Sequence, residues 1–233
     1  MRILAFDTAL QSCSAAFVDT EARRVVKRVE AMDRGHAEAL MPMLADIVAE
    51  ARVSFSQIDR LVVTIGPGSF TGLRVGLAAA RGLALAAERP LIGVGTMQAL
   101  ATSYVLWRKE VPTRFATALD ARRGEVYFQI FNQRGQAQGP ARLCKVAEAA
   151  LQIGGEPILL AGSGAPFIAE VLEARGKPHD CDPDGLRSGP DPVVLARLGE
   201  VMGLPDTPPE LLYLRPPDAK PQQPSPVEGN PAS

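Results

Sequence analysis

Cysteine, histidine and net charge are all scarce in this chain, and each scarcity excludes a class of protein. Cys13, Cys144 and Cys181 are odd in number, far apart and outside any CxxC or histidine-clustered spacing, so neither a disulfide framework nor a zinc site is indicated. Only two histidines occur, His36 and His179, too few and too distant for a histidine-based metal centre. The formal charge of −1 gives no chain-wide attraction to nucleic acid, so any RNA contact has to be local or shared. The apolar run Ile3 to Phe6 meets Asp7 at once, too short for the apolar region of a signal peptide. No apolar stretch approaches the roughly 20 residues of a membrane helix. The expected compartment is the cytoplasm, with no membrane partner.

What is present is an ordinary globular composition, 46% hydrophobic and 22% charged over 233 residues, enough for one large domain or two small ones. The chain opens its two halves alike. Ile3 to Phe6, a turn, and Cys13 to Val18 read as a strand hairpin, with Val25 to Val29 a third strand. Phe115 to Leu119, a turn at Arg122 to Gly124, and Val126 to Phe131 repeat it, and both first strands end in aspartate, Asp7 and Asp120. Strands and helical segments alternate between them in the α/β manner. Nine of the twenty prolines fall after residue 203, so the chain beyond Pro216 is expected to be a disordered tail.

Two helices stand out. The first, about Ala37 to Ala51, carries Ala37, Leu40, Met41, Leu44, Ile47, Val48 and Ala51 on a helical stripe, with Met43 beside them and Pro42 in its interior. The second, from near Phe70 to before Pro90, steps through Gly72, Gly76, Ala80 and Ala84 every four residues, a ridge almost without side chains. Glycine inside a helix costs about 1 kcal/mol relative to alanine, so another backbone is expected to come close there. That backbone belongs either to the same lobe or to a second protein. The expectation adopted is an interface built from Leu40, Met43, Leu44 and Ile47 of the first helix and Gly72, Gly76 and Ala80 of the second, rimmed by Arg74 and Arg81. The run Gly66 to Gly72 opens the second helix, where free N–H groups can hold an anion, yet no lysine lies between Lys27 and Lys109 and the Walker pattern is missing. A tight structural turn and an anion loop both fit that run.

The segments Ile3 to Thr8, Gly35-His36-Ala37-Glu38, Gly66 to Arg74, Gly82-Leu83-Ala84, Asp120 to Tyr127 and Tyr213-Leu214-Arg215 together resemble the TsaB family. The resemblance implies an α/β fold of two ribonuclease-H-like lobes of the actin/Hsp70/sugar-kinase superfamily. It gives a first lobe over 1–108 with the partner-binding helices, a second over 109–215 whose C-terminal segment packs back on the core, and the tail over 216–233. It further implies a non-catalytic scaffold that binds TsaD, works with the ATPase TsaE, meets tRNA only through the complex, and supports N6-threonylcarbamoylation of adenosine 37 in tRNAs reading codons that begin with A. No cofactor of its own is expected, ATP and a metal being bound by partners, and a homodimer is the expected alternative assembly where TsaD is absent.

Catalysis by the chain alone finds few residues. The catalytic relative TsaD holds metal through an HxxxH motif after a strand equivalent to Leu91 to Val94, whereas Gly95 to Leu100 here contains no histidine. A vestigial nucleotide site would consist of Asp7 and the turn at Gly162 and Gly164, because the first phosphate loop lacks its glycine and the second carries Arg122 and Arg123. His36 reads as a structural residue before a helix more than as a base. The alternatives, an ATP-dependent small-molecule kinase or acyltransferase of the same fold and a peptidase, lack a complete set of groups.

Overall fold

The computed structural model describes residues 1–182 and 189–215. The first half runs β1 (Arg2–Asp7), β2 (Ser12–Asp19), β3 (Arg24–Ala31), α1 (His36–Glu50), β4 (Arg60–Gly66), α2 (Phe70–Ala87), β5 (Leu91–Gly95) and α3 (Thr96–Trp107). The second half repeats the order with β6 (Arg114–Asp120), β7 (Glu125–Asn132), β8 (Arg142–Lys145), α4 (Val146–Ile153), β9 (Ile158–Ala161), α5 (Ala165–Ala174), β10 (His179–Asp182) and α6 (Pro192–Val201). Each half builds a five-stranded sheet, β3-β2-β1-β4-β5 and β8-β7-β6-β9-β10. In both, the first three strands are antiparallel and the last two run parallel to the first. This duplicated order gives an α/β fold of two lobes with the same sheet topology.

Period-two alternation explains how each sheet is covered. In β1, Leu4 and Phe6 face α1 and α2, while Ile3 and Ala5 face the other side. In β6, Ala116 and Ala118 face α4 and α5, while Phe115 and Leu119 face the other side. The second covering layer is exchanged between halves. Met97, Leu100, Ala101 and Tyr104 of α3 pack on Phe115, Leu119 and Phe131 of the second sheet. Leu195 and Ala196 of α6 pack on Ile3, Ala5, Val18 and Val62 of the first. The division expected at residue 108 therefore separates strands but not cores. Residues 192–201, assigned from sequence to the second lobe, cover the first because that sheet would otherwise leave one apolar face open to water.

Polar contacts anchor α6 at both ends and α3 at its C-terminal end. Asp191 caps α6 by accepting from Val193 N at 2.8 Å, Pro192 sits at its first position, and Lys27 meets the same carboxylate at 2.9 Å. Arg60 donates to the carbonyls of Gly199 at 2.5 Å and Met202 at 2.9 Å, neutralising the negative end of the helix. On α3, Tyr104 donates to Asp182 of β10 at 3.1 Å, and Arg108 pairs with that carboxylate while stacking on Tyr104. After α6, residues 209–215 form a strap along the first lobe. Leu212 N donates to Ile65 O at 2.8 Å, and Arg215 reaches across to Glu125 of β7 at 2.5 Å. The disordered tail expected over 216–233 lies outside the described residues.

Gly199 marks how closely α6 sits on the sheet, because a Cβ there would overlap the side chain of Val62. Gly199→Ala is expected to cost about 1–3 kcal/mol through overpacking, and to lower one cooperative transition rather than split it, because α6 is joined in sequence to the other lobe. Thermal melts followed by circular dichroism check this; an unchanged melting temperature or two separate transitions would contradict the exchanged-helix account.

Candidate partner interface and interlobe cleft

The C-terminal ends of the parallel strands in both lobes open on a shared cavity of about 910 Å3, the position where α/β sheets of this kind hold ligands. Ala9 to Gln11 after β1, Gly68 and Ser69 after β4, Asp120 to Arg122 after β6 and Ser163 after β9 line it. Asp7 ends β1 at the base of this region but is fully buried. Its Oδ1 accepts from Thr64 Oγ1 and from Ala9 N at 3.2 Å, while Oδ2 has no hydrogen-bond partner among the described residues. Burial pushes the carboxyl up to about 6, against the opposing pull of the Thr64 and Ala9 hydrogen bonds and of His36. His36 is tied down rather than presented, its Nε2 donating to Leu10 O at 3.0 Å. It thereby links the start of α1 to the turn after Asp7.

The glycine-rich run is a packing device. Ser69 N donates to Ala9 O at 2.7 Å, and Ser69 Oγ caps α2 by accepting from Gly72 N at 3.3 Å. Thr8 Oγ1 donates to Gly72 O at 2.7 Å; a Cβ on Gly72 would overlap Thr8 O, and one on Gly76 would lie 2.5 Å from Thr8 Oγ1. The second lobe uses Gly162 and Gly164 in a similar way. A Cβ on Gly162 would stand 2.5 Å from Ala118 O and one on Gly164 2.9 Å from the carbonyl carbon of Leu119. Close approach to β6 accounts for both glycines. The Asp120 turn keeps Arg122 at its crest with the side chain 82% exposed.

These contacts correct the residue-level interface expected from sequence. Leu40, Met43, Leu44, Ile47 and Ala80 are core residues of the first lobe, and Gly72 and Gly76 face the Thr8 turn. The close neighbouring backbone belongs to the same lobe. Arg74 lies over Phe70, 3.8 Å from its ring centre, and donates to Tyr213 Oη at 3.2 Å, while Arg81 donates to Pro209 O at 2.8 Å. Both arginines hold the strap. The helix pair exposes the opposite stripe, Met41, Ala45 and Ala49 on α1 with Ala78, Gly82 and Ala86 on α2. A Cβ added at Gly82 would meet nothing within 4 Å, so packing inside this chain does not explain that glycine. Met41, read from sequence on the same stripe as Leu40 and Leu44, is exposed instead; the exposed stripe was missed because the buried one carries the larger apolar side chains, and Gly82, off the four-residue ridge, was the available signal. By length and composition alone α2 could span a membrane, but its Leu73 and Leu77 are buried in the lobe.

A family model described as TsaD, tRNA N6-adenosine threonylcarbamoyltransferase, matches residues 29–171, more than half of the chain. The tRNA threonylcarbamoyladenosine biosynthesis protein TsaB of Escherichia coli is 44% identical over 133 residues, 57% of this chain and 56% of that protein. This chain belongs to the TsaB family. It spans about half the length of the curated TsaB relatives it matches. An uncharacterised protein of Mycobacterium tuberculosis is 34% identical over 222 residues, covering 94% of both chains. A solved Pseudomonas aeruginosa protein described as similar to peptidase YeaZ superposes with a TM-score of 0.77 at 29% identity, covering 92% of this chain and 99% of that one. Most of the segments that carried the TsaB resemblance converge on two places, the floor of the cleft at Asp7, Thr8 and Gly72, and the strap at Tyr213 and Arg215, while Gly82 lies on the exposed stripe of α2.

Among the described residues of this TsaB-family chain, no three His, Cys, Asp or Glu side chains converge as metal ligands. The three cysteines are free. Asp7 is a cost at neutral pH. Its folded value of about 6 lies above the ordinary 3.8, so the folded state holds a proton that the unfolded chain has lost between those values. Stability from this group is therefore full below about pH 4 and falls as pH rises through 6, by about 3 kcal/mol in all. Asp7→Asn is expected to raise the melting temperature at pH 7.5 and to flatten the decline between pH 4 and 7. Melting curves across that range decide it, and an unaltered slope in the variant would refute the assignment. Gly76→Leu is expected to prevent folding or to lower the melting temperature strongly, since the inserted side chain meets Thr8 inside the lobe.

Proposed function

We propose that this protein is a non-catalytic subunit of the machinery for tRNA threonylcarbamoyladenosine biosynthesis, and that it docks a TsaD partner on the exposed stripe of α1 and α2. The observation that carries this reading is Gly82. A glycine inside a helix costs about 1 kcal/mol relative to alanine, and here nothing within the chain occupies the space it leaves. A second protein whose backbone lies against Ala78, Gly82 and Ala86 supplies the missing reason, with Met41, 46% exposed, and Leu85, 82% exposed, as apolar anchors. The family fits the reading, because a TsaB relative is named for that biosynthesis and the matched family model is that of TsaD.

The non-catalytic part rests on the cleft. The carboxylate of Asp7 is tied to Thr64 and Ala9 instead of facing the cavity, and Arg122 stands where a second phosphate loop would need bare backbone. ATP and metal then belong to the partners TsaD and TsaE, and tRNA is modified by the assembled complex. Without TsaD, the same stripe closes on a second copy of this chain across a two-fold axis.

Gly82→Ala should raise the stability of the isolated chain by about 1 kcal/mol, because it removes the helix penalty without a clash. Ala78→Arg should leave melting nearly unchanged and Gly82→Arg should raise it slightly, yet both should weaken TsaD binding by about tenfold or more, read by titration calorimetry. They should also lower threonylcarbamoyladenosine formation when TsaD, TsaE and threonylcarbamoyl-adenylate are supplied. Undiminished TsaD affinity in both arginine variants would remove this stripe as the docking surface.

A further inference from the structure

The two lobes share one sheet topology, so their free edges can be compared, and one edge stands apart. β3 closes the first sheet with eight residues, whereas the other three edges, β5, β8 and β10, have five, four and four. Proteins blunt an open edge by keeping it short or by breaking it with proline or a bulge. β3 contains neither proline nor glycine, and it pairs with β2 over all eight residues without a register shift. Two of its charged side chains are drawn onto the faces of the sheet. Lys27 meets Asp191 at 2.9 Å and lies over the ring of Trp107, and Arg28 pairs with Glu50 of α1.

The direction of the backbone groups follows from the ladder. Met32 N donates to Gln11 O at 3.1 Å, and hydrogen-bonded pairs alternate along an antiparallel ladder, so Arg24, Val26, Arg28 and Glu30 bond to β2. The N–H and C=O groups of Val25, Lys27 and Val29 therefore point outward along the free edge. Val25 and Val29 share a face with Lys27 and are 47% and 45% exposed.

A second copy of β3 fits this edge in one register. With two such strands antiparallel across a two-fold axis through Lys27, Val25 stands opposite the second copy's Val29, and the outward residues of both strands form the hydrogen-bonded pairs. Arg24 then stands opposite the second copy's Glu30 in a non-hydrogen-bonded pair, where side chains come closest. Glu30 has no ion partner among the described residues, and Arg24 is held by carbonyl oxygens alone, Ala51 O at 2.8 Å and Glu50 O at 2.6 Å, so each charge is unmatched in the single chain. Sliding the strands by two residues sets Arg24 against Arg28 or Arg28 against Arg28, like charges that oppose pairing. The Lys27 pair at the axis is offset because each ammonium sits on its own Asp191.

We infer that β3 is a self-association edge, through which two copies of this chain join their first sheets into one continuous sheet. It goes beyond the functional reading and does not depend on it, because the edge is built from other residues than the α1 and α2 stripe.

The test uses the full chain carrying Gly82→Arg, which closes the α2 stripe to a second copy and leaves association through other surfaces to be read. Sedimentation equilibrium up to about 100 μM is expected to show monomer and dimer in equilibrium. Amide exchange at Val25, Lys27 and Val29 should slow as concentration rises. Val29→Pro removes an outward N–H at an edge position where the β2 ladder is untouched, so it should abolish the dimer while the monomer's melting temperature and its TsaD affinity, read without Gly82→Arg, change little. Glu30→Arg should weaken association by about tenfold or more, and Arg24→Glu added to it should restore association, a rescue that a merely structural role of either residue would not give. A monomer throughout that range, a dimer indifferent to Val29→Pro, or edge amides that exchange equally fast at all concentrations would overturn the inference. Protection of those amides only when TsaD is added to the unmodified chain would make β3 a TsaD surface, and overturns it as well.

Discussion

Each sheet of this protein has two apolar faces, and each half of the chain places only one helix pair on its own sheet, so the structure depends on the reciprocal exchange of α3 and α6. The exchange turns two similar halves into one molecule. The rings of Tyr104 and Phe115 pack tilted, 5.4 Å between centres, joining a helix from the first half to a strand from the second, while Leu195 and Ala196 pack in turn on Ile3 and Ala5. Burying these faces supplies the dominant favourable term, and it joins residues far apart in sequence, so neither lobe has a complete core alone. The strap adds a second tie, Arg215 to Glu125, from the edge of the first lobe to the hairpin of the second.

Close backbone approach is the second constraint, and it sorts the glycines by purpose. Gly72 and Gly76 admit Thr8, Gly162 and Gly164 admit β6, and Gly199 admits Val62. Each explanation lies inside the chain. Gly82 differs because the space beside it is empty, so no neighbour inside the chain accounts for a glycine there. The same reasoning separates the lobes, because the helix position that glycine closes in the first is held open by Phe167 and Val171 in the second.

Function and stability pull against each other at Asp7. A carboxylate with no exposure and an unpartnered oxygen destabilises the folded state at neutral pH, and residues kept at such cost usually serve a site. Here the aspartate organises the turn that receives Gly72 and Ser69, through Ala9 and Thr64. In this TsaB-family chain the cleft floor has thus become part of the packing that positions α2. The outward stripe of α2 and the shape of the cleft are parts of one rigid arrangement.

Local pattern was enough to place the strands that begin each half, helices α1 and α2, and the turn at Gly66 to Gly72, because period and turn chemistry act over a few residues. The duplicated opening, with Asp7 and Asp120 at matching strand ends, was equally visible in the order of residues. Which stripe of α1 and α2 stays exposed was not. Leu40, Leu44, Ile47 and the Gly72 to Ala80 ridge have the same spacing whether they meet a sheet or a second protein, and only the position of Thr8 and β4 decided for the sheet. The same holds for Arg74 and Arg81, whose partners Tyr213 and Pro209 lie more than a hundred residues along the chain. Periodicity determines that a face is buried; what buries it is set by long-range packing, which brings together residues that no local pattern connects.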